Sequence, residues 1–127
     1  MQVDYLTWLR TKERDTRNRG YSVGASEDDR AYFCGIANAY SEAADEYGSR
    51  IAQLALPDNQ PYIQFSDLDE LLAQLECDAT RVRKAADFEM YKGRRRGLLG
   101  HHAGMQEAIR TVKAFRDSYL TIDREQE

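Results

Sequence analysis

Proline occupies only two of the 127 positions, 57 and 61, and both fall in one short stretch, PDNQP. The segments on either side lack the residue that most reliably breaks a helix, so long uninterrupted helices are the simplest reading. At this length the chain can bury one core but not two, which predicts a single helical domain over 1–127.

Apolar periodicity fills in the elements. A short first helix starts near Asp4 and buries Leu6, Trp8 and Leu9. Beyond Leu9 comes RTKERDTRNRG, with nothing to bury, so residues 10–25 read as a solvated basic helix or a flexible basic arm ending in the loop GYSVGAS. Ser26 is a good N-cap, and three acids follow it to complement the helix dipole. The second helix carries a stripe of Phe33, Ile36, Ala37, Tyr40, Ala43, Ala44, Tyr47, Ile51 and Leu54 and should end near Leu56, before the prolines. YIQF reads as a short extended piece.

Ser66 caps a third helix with Leu68, Leu71, Leu72, Leu75, Ala79, Val82, Ala86 and Met90 on one face. The fourth carries Leu98, His102, Met105, Ile109, Val112 and Tyr119, flanked by Ala108, Phe115 and Ile122, and residues 123–127 should fray. One helix over 67–122 would reach ~80 Å, too long for a compact domain of this size. Gly93 follows Lys92 as a C-cap glycine follows a basic last turn, which predicts a tight turn at residues 92–96. The expected fold is all-α: a bundle of three long helices plus a short N-terminal one, closed by an antiparallel C-terminal hairpin.

Glycines at 93, 97, 100 and 104 keep helical spacing beside the apolar stripe. Each costs about 1 kcal/mol relative to alanine inside a helix, and close approach of another backbone is the usual compensation. A shift of 65 residues places Gly35 on Gly100, Ala39 on Gly104, Glu42 on Glu107 and Ala43 on Ala108. The same shift aligns Phe33 with Leu98, Tyr40 with Met105, Tyr47 with Val112 and Leu54 with Tyr119. This is either a duplicated helix or a shared solution to one contact. Gly97, Gly100 and Gly104 on one helix, with Gly35 and Ala39 on the other, form narrow seams that can meet each other or the same helix of a second subunit, leaving a homo-oligomer open.

Net charge is -4 but uneven. Residues 10–19 carry +3 and residues 81–96 carry +5, so the rest of the chain holds -12. Acidic average charge therefore does not exclude an anionic partner. No apolar run approaches the ~18 residues of a membrane span, and MQVDYLTWLRTKERD lacks an export pattern, so a cytoplasmic chain is expected. Cys34 and Cys77, on apolar stripes, read as buried reduced thiols.

Signatures of catalysis are missing. The Glu-x-x-His of ferritin-like metal sites fails because Leu98 and Leu99 stand three residues before His101 and His102. HExxH, GxxxxGK and GxGxxG do not occur. Adjacent histidines diverge by about 100° on a helix and cannot share one ion unaided. His102, on the apolar stripe, reads as an interior hydrogen-bonded histidine, and His101 as free to face the arginines. Glu42 and Glu46 read as a solvated acidic face. These points favour a non-enzymatic chain with no metal or cofactor.

The sharpest functional hint is Arg94, Arg95 and Arg96 at the start of the fourth helix, where the dipole disfavours positive charge. Such a placement makes sense if an anion, phosphate or protein carboxylate, sits there. Arg81, Arg83 and Lys84 could extend the patch, with Tyr91 and His101 beside it, and the 10–19 segment is a further candidate. The stretch EMYKGRRRGLLGHHAGMQEAIRTVKAF, with its Tyr-x-Gly-Arg…Gly-Leu…Glu-Ala-Ile pattern, resembles the final helical hairpin of many small phage and mobile-element proteins over about a fifth of the chain. The resemblance implies a small accessory protein that acts by binding, host-defence inhibitors among them, and assigns no residue a role. The function expected is regulation by binding a larger protein or nucleoprotein complex; the alternative is a nucleic-acid- or nucleotide-binding accessory protein using Arg94–Arg96.

Overall fold

The computed structural model describes the backbone of residues 5–54 and 65–126 and the side chains of residues 5–49 and 69–115. It contains four helices in chain order: α1 (Tyr5–Gly20), α2 (Glu27–Leu54), α3 (Phe65–Phe88) and α4 (Lys92–Gln126). No strand occurs among the described residues, and the expected fold class, a small all-α bundle with a C-terminal helical hairpin, is observed. The end expected near Leu56, the proline break and residues 62–64 of YIQF lie outside the described residues, while Phe65, its last residue, already belongs to α3.

The basic half of α1 is helical through Gly20 although it buries almost nothing. Side chains reach across to α2 instead: Arg10, paired with Glu13 of α1 at 3.2 Å, meets Asp45 at 3.0 Å, and Arg17 donates to Asn38 at 3.0 Å. Arg17 and Arg19 also sit in the last turn, where the dipole favours cations. The α1–α2 loop turns at Gly24, whose φ of +91° suits glycine.

Two hairpins, α1–α2 and α3–α4, join through their second helices. α2 and α4 share the most extensive contact, α1 lies mainly on α2, α3 lies mainly on α4, and among the described residues α1 and α3 do not touch. The core between them holds Tyr5, Leu9, Tyr40, Tyr47, Leu71, Leu75, Met105, Ile109 and Val112. Tyr5 lies at its centre, edge-on to Tyr47 and Phe115 and donating a buried hydrogen bond to the Ala108 carbonyl at 2.8 Å. Burial pushes its phenol far above the ordinary tyrosine range.

The α2–α4 seam explains the glycines. A Cβ on Gly35 would collide with the Gly97 carbonyl, and one on Gly100 with the Tyr32 carbonyl. Under the 65-residue shift, position 35 becomes 100 and position 32 becomes 97, so these two contacts are mates. Gly104 faces its own mate, Ala39, where an added Cβ would stand 2.7 Å from the alanine methyl. The helices therefore run parallel about a local two-fold axis near Ala39 and Gly104. Backbones this close gain Cα–H···O contacts in place of side-chain burial. Burial follows the same symmetry, because Tyr40 and Met105 are both buried, as are Ala43 and Ala108, and Tyr47 and Val112.

The turn expected at residues 92–96 sits earlier. α3 stops at Phe88, Glu89 and Met90 are irregular, Tyr91 is a bend, and α4 begins at Lys92. The Tyr91 carbonyl accepts the first helical bond from the Arg95 amide at 2.9 Å. Gly93 is thus in the first turn of α4 rather than a C-cap, and nothing would meet a Cβ there. Met90, expected on the core face of the third helix, lies beyond its end and is 92% exposed. At the other end, α4 continues through Gln126, so the tail expected to fray is helical to that residue; neither glycine nor proline interrupts it.

Candidate functional site

Parallel α2 and α4 bring their N-termini side by side, so the α1–α2 loop and the α3–α4 turn share one end of the bundle. Lys92 ties them together through Asp28 at 3.5 Å. The large hydrophobics that are exposed among the described residues, Tyr21, Val23, Phe88, Met90 and Tyr91, all lie here, at 65% to 106% exposure. Isolated exposed hydrophobics are ordinary, but this concentration in two short connections is not.

The arginine run occupies the same end. Among the described residues no carboxylate pairs with Arg94, Arg95 or Arg96. Aromatic faces hold the planes instead: Arg96 lies over Tyr32 at 4.1 Å and Arg94 over Tyr91 at 5.4 Å. Across the loop Arg19 lies over Phe33 at 5.2 Å and Arg30 over Tyr21 at 5.4 Å. Tyr32 and Phe33 touch edge to face, 6.1 Å apart, which links the two sets. Stacking fixes a guanidinium plane while leaving its in-plane N–H groups free for an acceptor. Acidic groups also stand here: Glu27 and Asp29 are exposed, and Glu89 accepts the Tyr91 amide at 3.2 Å.

The other predicted site residues are placed elsewhere. Arg81 pairs with Glu42 at 3.4 Å and Asp78 at 3.5 Å, and Arg83 pairs with Asp87 at 3.4 Å. Lys84 joins Arg83, Lys113 and His102 along a shallow cleft of about 510 Å³ between α3 and α4. That cleft holds Arg83 and Lys84 but none of Arg94–Arg96, while Arg81 meets the Glu42 carboxylate that also takes His101. The histidines differ less than expected, both being half-buried and hydrogen-bonded. His101 is not free: it bonds Glu42 at 2.7 Å, because positions 97, 101 and 104 share the face of α4 that meets α2, and it lines one shallow cleft with Arg94. Glu42 is accordingly a half-buried partner of Arg81 and His101 rather than part of a solvated acidic face.

His102 is half-buried, within 3.2 Å of the Gln106 amide, and burial together with the Arg83 charge holds its imidazole below the ordinary histidine value. Cys34 is half-buried and Cys77 exposed, correcting the expectation that both are buried; neither is in a disulfide. Cys77 lies off the stripe of Leu71, Leu75, Ala79, Val82 and Ala86 that α3 buries.

Sequence reasoning missed Tyr21 and Val23, read only as loop, and Arg30, read only as part of a helix start. Two large side chains between loop glycines, in GYSVG, are the signal that could have found them. No cluster of ligating side chains able to hold a metal ion occurs among the described residues, and no described helix is long and apolar enough to cross a membrane. Comparison with family models, curated proteins and solved structures gives no match to this chain.

Proposed function

We propose that this chain is a non-enzymatic binding protein that engages a larger protein or nucleoprotein assembly through the end of the bundle where its two hairpin connections meet. One observation carries the reading: the exposed large hydrophobics and the arginines free of carboxylates occupy the same end. Tyrosine, phenylalanine, methionine and arginine are the residues enriched at protein interfaces, and stacked arginines and aromatics dominate their energetics. The resemblance of the C-terminal hairpin to phage and mobile-element proteins supports placing the chain among small accessory proteins, with inhibition of a host system as the regulatory outcome.

The test is affinity capture from a cell lysate, with and without nuclease, using wild type and the Arg94→Ala/Arg95→Ala/Arg96→Ala variant. A nuclease-resistant partner, lost with the triple variant while helicity is kept, supports the reading; equal capture by both proteins sinks it. A second reading, direct binding of nucleic acid, is favoured by the run of free guanidinium groups and opposed by Glu27, Asp29 and Glu89 at the same end. It requires a gel shift at low salt that falls steeply as salt is raised.

A further inference from the structure

The two halves of this end are equivalent in backbone and opposite in charge. Ser26 and Tyr91 are mates under the 65-residue shift, and each accepts the first helical bond through its carbonyl, from Arg30 and Arg95 respectively, at 2.9 Å in both cases. From that common origin Glu27 corresponds to Lys92 and Asp29 to Arg94, while Val23 corresponds to Phe88. The local two-fold thus relates acids on α2 to bases on α4, around exposed apolar residues on both sides.

We infer that this end is self-complementary and that two copies of the chain pair end to end through it. The inference rests on the reading above that the surface binds protein, and it names a second copy as an occupant. A half turn about an axis perpendicular to the helices sets the α2 start of one copy on the α4 start of the other. Glu27 and Asp29 of each then meet Lys92 and Arg94 of its mate, twice over, as an isologous contact requires. Tyr21 and Val23 cover Met90, Tyr91 and Phe88, removing from water the large side chains that a monomer exposes.

Within one molecule this neutralisation is incomplete. Lys92 reaches Asp28 at 3.5 Å, yet Glu27 and Arg94–Arg96 form no ion pair among the described residues. Arg30 and Arg95 are the equivalent positions whose charge does not invert. Arg30 is held back by Tyr21 and by the Gly20 carbonyl, which its Nε reaches at 3.4 Å. Since the dimer covers the arginines, a second copy and any other protein partner exclude each other.

Sedimentation of the full chain at concentrations up to about 1 mM, at low and high salt, reads the association directly. A dimer that weakens with salt is expected. Charge reversal of one half, as Lys92→Glu/Arg94→Glu or as Glu27→Lys/Asp29→Lys, weakens it by at least about tenfold in each case. Mixing the two reversed proteins restores a dimer, because an end of net negative charge now faces one of net positive charge; circular dichroism of each variant confirms that the helices remain. A wild type that stays monomeric overturns the inference, as does a dimer indifferent to both reversals or a mixture that fails to associate. A monomeric wild type leaves the lysate capture free to succeed, whereas a dimer with no captured partner refutes only the larger-assembly reading.

Discussion

The two hairpins meet through mated contacts, yet they start their long helices in opposite ways. α2 opens with Ser26, whose hydroxyl accepts the Asp29 amide at 3.1 Å, and with three acids in its first turn. α4 opens at the equivalent position with Tyr91, a poor cap, and has no acid in its first turn; Lys92, Gly93 and the three arginines follow. The interior is symmetric because close backbone approach tolerates only glycine or alanine from both sides. The ends are under no such constraint, and only the α2 start has the charges that helix stability favours. That contrast separates what holds this fold together from what its surface is for.

The seam gives the largest expected effect. Gly35→Ala and Gly100→Ala each place a methyl inside the opposing carbonyl, so each should destabilise by about 2–3 kcal/mol after the helix-propensity gain is counted. The mates should agree within about 0.5 kcal/mol of each other. Gly48→Ala, with open space around it, should instead stabilise by up to about 1 kcal/mol. Urea unfolding of the three variants checks this, and a Gly35 variant as stable as wild type would break the two-fold relation.

Next comes Tyr5, which couples the first hairpin to the second through the Ala108 carbonyl. Tyr5→Phe keeps the ring contacts and removes the hydroxyl, so a loss of about 1–1.5 kcal/mol is expected in the same unfolding measurement. A loss near zero would mean that the hairpins are held by the seam alone.

Much of the interior was legible in advance. Small residues at 35, 39, 97, 100 and 104 keep helical spacing, and the 65-residue shift aligns them, because a backbone contact leaves its mark as missing side chains. The exposed end was only half legible. Arg94–Arg96 stand out by violating the dipole rule, but Gly93 beside a basic residue looks the same whether it closes one helix or opens the next. Only the Tyr91 carbonyl bond decides. The histidines were only partly legible, His101 being read as free where it bonds Glu42. Their side chains diverge by about 100°, and the apolar stripe alone does not show that the glycine face, which contains His101, is the one that meets α2.

Capping offers a smaller effect that bears on the ends directly. Ser26→Ala should cost about 1 kcal/mol, since the Asp29 amide loses its acceptor. Tyr91→Ser should stabilise by about 0.5 kcal/mol, by supplying α4 with the cap that α2 already has. Thermal melts of the two single variants and the double read both numbers. If Tyr91→Ser is destabilising, Tyr91 has a structural task beyond its stacking on Arg94, and the contrast between the two starts narrows.

A comparably small change in stability is the most informative about the surface. Replacing Arg94, Arg95 and Arg96 together by glutamine removes positive charge from the dipole's positive end while keeping side-chain length. A gain of about 0.3–1 kcal/mol follows from relief of that repulsion, reduced somewhat by the weaker stacking of glutamine on Tyr32 and Tyr91. The same variant should lose association. Stability rising while binding falls is the signature of residues kept for a contact outside the monomer, since their stacking inside it does not offset the dipole repulsion. Both readouts can be taken on one preparation, by urea titration at a concentration too dilute for self-association and by sedimentation at high concentration. A triple variant that unfolds more easily would reverse the interpretation: the arginines would then be fastening the start of α4 through their aromatic partners, and the two helix starts would differ in how they are stabilised rather than in whether they are.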